Sequence, residues 1–199
     1  MLAVVLALVV SIVAVAWWGV GMARQRGVIG PMVVPQEYRA LIREAAQRCP
    51  RVPANVFAAQ IAAESSWDPR AESPVGARGI AQFMPKVWRQ YGIDANGDGK
   101  RSVWDPEDAI HSAAELNCLN RKLVRDVPGN RLHNTLAAYN AGHGNVIKYG
   151  GVPPFPETEA YLERILRYAE TIRLSDAPSE SQGPATRAAE GPASPSPRG

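Results

Sequence analysis

Glu64 is the residue with the most chemical promise in this 199-residue chain. Val56, Phe57 and Ile61 set an apolar stripe, Glu64 falls next in it, and Ser65-Ser66-Trp67-Asp68-Pro69 then end the helix. That spacing predicts a carboxylate at a helix C-terminus, on the core-facing side. Burial and the negative helix end both disfavour the charged form, so its pKa is expected to be raised. An acid still protonated near neutral pH suits cleavage of a glycosidic bond, where the leaving oxygen must receive a proton. Taken alone, a helical Glu is usually an ordinary solvated side chain; the residues that follow change that reading.

Beyond the helix the chain runs Ser73-Pro74-Val75-Gly76-Ala77-Arg78-Gly79-Ile80-Ala81-Gln82-Phe83-Met84-Pro85. The two glycines allow close backbone approach, while Ser73 and Gln82 offer a hydroxyl and an amide beside the acid. A sugar polymer asks for such groups on rigid walls with some apolar surface. Retaining and inverting glycosidases normally need a second carboxylate. Asp68 reads as a turn or capping residue and Glu72 as an exposed loop residue, so neither is taken as a nucleophile.

This stretch resembles the signature of the lytic transglycosylases, the family of soluble lytic transglycosylases and goose-type lysozymes. The family pattern is Glu-Ser, then Ser-Pro-x-Gly-Ala-x-Gly-Leu-Met-Gln-x-Met-Pro. A second family block, Ala-x-x-Ala-Tyr-Asn-Ala-Gly, is met by Thr135-Leu136-Ala137-Ala138-Tyr139-Asn140-Ala141-Gly142. A third places a Tyr in the last helix after a proline, glutamate and threonine, met by Pro156-Glu157-Thr158 and Tyr161. The departure is Ile80-Ala81 in place of Leu-Met, which bears on the shape of one subsite wall. The three blocks run in order over residues 53–172.

The resemblance implies a lysozyme-like fold with Glu64 as the single catalytic acid/base. It implies that Ser73 and Gln82 contact the sugar near the cleavage point, and that Met84 and Tyr139 wall the groove. Asn140 would hold the loop or substrate, and Tyr161 would lie near the acid. The implied substrate is the β-1,4 bond between N-acetylmuramic acid and N-acetylglucosamine in peptidoglycan. The N-acetyl group of the muramic ring would stabilise the oxocarbenium-like centre. Glu64 would then take the proton of the ring's 6-hydroxyl, giving a 1,6-anhydro end without water. No cofactor is required. A hydrolytic lysozyme on the same fold is the competing enzyme reading. A non-catalytic wall-binding module is the other, and its mark would be the loss of Glu64 or Gln82.

Several elements must position these residues. Tyr38, Leu41, Ile42, Ala45 and Cys49 follow the helical period, and Pro53 opens the helix carrying Glu64. Asp105-Pro106 signals a long helix through about Val124, with Ile110, Ala113, Ala114 and Leu123 as candidate core. Leu132, Leu136 and Tyr139 mark another, stopped by Gly142, and Tyr161, Leu162, Ile165, Ala169 and Ile172 mark the last. No long alternating run predicts a strand, so a single, mostly α domain of helices joined by long loops is expected over 35–174.

Residues 1–22 carry no charged side chain and end near Trp17-Trp18, as a membrane anchor or signal segment would. Charge alone, with Arg24 and Arg26 following, would put the C-terminal side in the cytoplasm; the wall chemistry places it outside. Residues 23–34 read as a linker and 175–199 as a disordered Pro/Ser-rich tail. The expectation is a monomer outside the cytoplasm, anchored in the membrane or secreted to the wall. Lys and Arg number 22 against 19 Asp and Glu, with no basic stripe, which argues against nucleic acid as partner.

Two further features are structural. In an exported chain the even count predicts that Cys49 and Cys118 pair as a disulfide, the alternative being two buried free thiols. Asp94, Asn96, Asp98, Lys100 (through its backbone) and Asp105 follow the spacing of a calcium loop. Asp105 stands where Glu gives bidentate ligation and Arg101 where an apolar residue anchors the loop. The simpler alternative is an Asp/Gly-rich turn whose last member caps the next helix.

Overall fold

Proline and capping side chains set most helix boundaries in the computed structural model, which describes residues 33–174. The helices are α1 (Gln36–Arg48), α2 (Ala54–Ser65), α3 (Pro85–Tyr91), α4 (Pro106–Leu123), α5 (Arg131–Ala141), α6 (His143–Tyr149) and α7 (Pro156–Thr171). Pro85, Pro106 and Pro156 occupy first helical positions, where a missing N–H leaves no bond unmade. Asp105 accepts from the backbone N–H groups of Glu107 and Asp108, and Asn130 from those of Leu132 and His133. The apolar segment 1–22, the linker through residue 32 and the tail from 175 lie outside the described residues. Among the described residues, no helix is long and apolar enough to cross a membrane.

Helix α2 is the centre of the domain. It packs on α7 along one side and α1 along another, while α4 and α5 pair beside them. Every residue from Val56 to Ala62 is buried. The sequence reading of one apolar stripe is therefore too narrow, because small alanines let neighbours approach α2 from several directions. Cys49 and Cys118 are disulfide-linked, with Cα atoms 5.3 Å apart, and fasten the end of α1 to α4.

Other expectations also change. Helices α3 and α6 stand where loops were expected, because Pro85 starts one and Gly142, at φ +84°, turns the chain straight into the other. Leu123, expected in the core, is 41% exposed in the last turn of α4. Strand pairing among the described residues is limited to isolated bridges, Glu72 with Arg78 and Arg78 with Phe83 among them.

Candidate active site

The C-terminal end of α2 opens into a cleft of about 350 Å³, and Glu64 lines it. Ser73, Gln82, Met84, Tyr139, Asn140 and Tyr161 line the same cleft. They come from a loop, α5 and α7, so residues separated by up to 97 positions converge on one acid. The helix ends without glycine: Ser66 and Trp67 both hold positive φ, at 55° and 71°. Ser65 secures that end by donating to the Ile80 carbonyl at 2.8 Å.

Burial pushes the Glu64 carboxyl up to about 7. The hydrogen bond from Tyr161 and the Arg164 guanidinium oppose that rise, and the charge of Glu157 adds to it. Tyr161 donates from Oη to Glu64 Oε1 at 2.6 Å. Behind it, Gln60 Nε2 donates to Tyr161 Oη at 3.2 Å, and Asn117 Nδ2 donates to Gln60 Oε1 at 2.6 Å. Desolvation drives the Tyr139 and Tyr161 phenols well above their ordinary range, so both are neutral hydroxyls.

The loop from 71 to 83 is folded back on itself and forms one wall. Arg78 and Phe83 exchange backbone hydrogen bonds, Ser73 N–H donates to the Ala77 carbonyl, and Ser73 Oγ accepts from Ala77 N–H. Gly79, at φ +72°, lies against the Val103 carbonyl, where an added Cβ would overlap the oxygen. Gln82, itself at φ +50°, donates from Nε2 to the carbonyls of Gly79 and Ala71, at 2.9 and 3.2 Å. Its amide is thereby oriented by the loop it belongs to.

The Ile80-Ala81 departure falls in the core. Both residues are fully buried and neither lines the cleft, contrary to the expectation of an altered subsite wall. Their carbonyls matter more than their side chains: Ile80 receives Ser65, and Ala81 receives the Tyr139 hydroxyl at 2.9 Å. Met84 is exposed at the cleft rim. Asn140 accepts from the Thr158 hydroxyl at 2.7 Å, which joins α5 to the start of α7.

Four residues near the acid escaped the sequence reading. Glu157 and Arg164 line the cleft from α7. Gln60 and Asn117 are fully buried behind Tyr161. Asp68 and Glu72, weighed as second carboxylates, do not line the cleft. Asp68 accepts from Arg70 N–H and Glu72 pairs with Arg78. The chemical sign of Glu157 was present in its Pro-Glu-Thr block, but periodicity gave no hint that it faced Glu64.

The side chains of Asp94, Asn96 and Asp98 are engaged within the Asp94–Asp105 loop itself, and Asn96 Nδ2 donates to Asp105 Oδ2 at 3.3 Å. Among the described residues no three His, Cys, Asp or Glu side chains gather as a ligand set. Asp94 accepts from the N–H groups of Gly97 and Gly99, Asn96 from Asp98, and Asp98 from Lys100. Asp105 is occupied at the start of α4. These oxygens stabilise turns and a helix end, and no chemical step is assigned to a cation.

These features define a helical domain built around one partly buried acid at the end of its central helix, facing an open, polar-rimmed cleft. The chain belongs to the family described as "Transglycosylase SLT domain", whose match covers residues 40–161. It is similar to membrane-bound lytic murein transglycosylase F of Maricaulis maris, 36% identical over 110 residues, 55% of this chain and 23% of that protein. It is also similar to membrane-bound lytic murein transglycosylase D of Escherichia coli K12, 32% identical over 127 residues, 56% of this chain and 26% of that one.

Solved structures agree on the fold. The 70-kDa soluble lytic transglycosylase in complex with bulgecin A matches with a TM-score of 0.55 and 27% identity, over 68% of this chain and 24% of that chain. An inactive glutamate-to-glutamine mutant of the lytic transglycosylase Slt from Pseudomonas aeruginosa matches with a TM-score of 0.52, the same identity and the same coverage. The chain spans about a quarter of the length of these relatives.

Proposed function

We propose that this domain is a peptidoglycan lytic transglycosylase in which Glu64 serves first as acid and then as base. The carrying observation is a carboxyl held near pKa 7 in a cleft that Ser73, Gln82, Met84, Tyr139 and Asn140 also line, with a neutral phenol donating to one of its oxygens. At that pKa both protonation states are accessible near neutral pH, which is what a group with two successive roles requires. The relatives' names, murein transglycosylases, support the substrate class.

In this reading Glu64 gives its proton to the glycosidic oxygen as the bond to C1 of the muramic ring breaks. The neighbouring N-acetyl oxygen stabilises the electron-poor C1. Carboxylate Glu64 then takes the proton of the ring's own 6-hydroxyl, and O6 bonds to C1. The products are a free 4-hydroxyl and a 1,6-anhydro end, with Glu64 protonated again. Ser73, Gln82 and Asn140 would hold the sugars against the apolar walls of Met84 and Tyr139.

Glu157 favours a second reading, a hydrolase, because a second carboxylate in the cleft could take a proton from water. Mass spectrometry of digested peptidoglycan separates the two: anhydro ends support transglycosylation, and reducing ends overturn it. A folded Glu64→Gln protein that cleared peptidoglycan at the wild-type rate would remove catalysis altogether and leave a wall-binding module. The location belongs to the same proposal: a domain outside the cytoplasm, tethered or secreted, where the Cys49–Cys118 disulfide is chemically at home.

A further inference from the structure

The acid stands at the end of a hydrogen-bond chain that crosses three helices. Asn117 on α4 donates to Gln60 on α2, Gln60 donates to Tyr161 on α7, and Tyr161 donates to Glu64. Asn117 and Gln60 are fully buried and Tyr161 is 2% exposed, so water does not compete for these groups. The direction of the chain follows from its end. Carboxylate Glu64 can only accept, so the single phenolic proton of Tyr161 must point at it. The phenol oxygen can then only accept from behind, which requires the Nε2 side of Gln60. The Oε1 side of Gln60 must in turn be met by a donor, and Asn117 supplies Nδ2.

We propose that Gln60 and Asn117 are positioning residues that lock Tyr161 as a donor to Oε1 of Glu64, so that the transferable proton is carried on Oε2. The inference rests on the reading of Glu64 as the acid. Oε1 acts as acceptor whether Glu64 is a carboxylate or an acid protonated on Oε2, so the chain need not reverse during turnover. Reversal would require both buried amides to flip together in close packing. A free carboxylic acid can place its proton on either oxygen, and half of those arrangements would aim it away from the bond to be cut. The chain removes that ambiguity at no cost in reorganisation.

Donation from Gln60 also polarises the phenol and strengthens its bond to the carboxylate. That bond holds the Glu64 pKa down against burial. The other groups facing Glu64 are Arg164 and Glu157 on α7 and Tyr139 on α5. The hydrogen bonds of Gln60 run to Tyr161 and Asn117 and to none of these three.

The test uses the full chain with Gln60→Met and Asn117→Leu, which keep side-chain length or branching and remove the amides. In either variant kcat should fall roughly fivefold to tenfold, the worth of one buried hydrogen bond. KM should hold within twofold, and the high-pH fall in activity should move to higher pH. Carbon-13 titration of the Glu64 carboxyl should show the same upward move. A loss of kcat with an unmoved pH profile and titration would mean a merely structural role and overturn the proposal. Because an apolar variant could unfold, neutron diffraction of the wild-type protein is the second arm. Deuterium on Tyr161 Oη directed at Oε1, with Glu64 protonated on Oε2, supports the lock; a deuteron on Oε1 overturns it. If Glu64→Gln is fully active, the functional reading fails instead, whatever the state of the chain.

Discussion

The hydroxyl of Tyr161 lies 2.6 Å from Oε1 of Glu64 and donates to it, linking α7 to the end of α2. This contact opposes the larger effect of burial and leaves the acid near pKa 7 instead of higher. Removing the donor in Tyr161→Phe should therefore raise the Glu64 pKa further. Because the protonated form acts first, the fall of activity on the alkaline side should shift to higher pH. A kcat/KM profile from pH 4 to 9 checks this, and a shift to lower pH would contradict the assigned donor.

Glu64→Gln should abolish cleavage, by about a thousandfold or more, while leaving helical content unchanged. It should also change stability with a definite sign. The folded pKa, about 7, is above the ordinary carboxyl value of 4.5, so the wild type loses stability as pH rises between them. The neutral amide escapes that loss. Melting curves should show the mutant gaining on the wild type from pH 5 to 8, by an amount of order 1–3 kcal/mol. Equal curves at pH 8 would mean the acid is not desolvated.

Gly79→Ala should be severe, because the glycine is buried in its loop. The added methyl meets the Val103 carbonyl, and φ is +72°. A loss of about 3 kcal/mol or more is expected, with activity lost through displacement of Gln82. Thermal denaturation and peptidoglycan turbidity assays read the two effects separately.

Reducing the Cys49–Cys118 bridge opens a loop of 69 positions in the unfolded chain. Loop-closure entropy of that size corresponds to roughly 4 kcal/mol. Dithiothreitol, or the double exchange to Ala, should lower Tm by roughly 10 °C with little change in the pH profile.

Asp94→Ala removes the acceptor for two backbone N–H groups of its loop. A fall in stability of about 1–2 kcal/mol is expected even in excess chelator. An effect present only with added calcium would transfer the role from the turn to the ion.

Much of this site could be read from the chain because its residues sit in local signals. Glu64 precedes a helix stop, Asp105-Pro106 announces α4, and Tyr139 and Tyr161 lie on periodic apolar faces. Gln60 and Asn117 gave no such signal. Each is a polar residue within a helix, and their significance arises only when α2, α4 and α7 meet. Helices α3 and α6 were hidden because each has only seven residues, too few to establish a period. The left-handed turn at Ser66 and Trp67 was equally silent, since glycine normally marks it.

The complete sheathing of α2 from Val56 to Ala62 has an evolutionary consequence. A helix packed from several directions cannot drift, and the acid at its end inherits that fixity. The rim is not bound by that packing: Val75 and Met84 are exposed on it and can change size without moving α2. The domain thus separates a tightly packed axis that carries the acid from an exposed margin that does not.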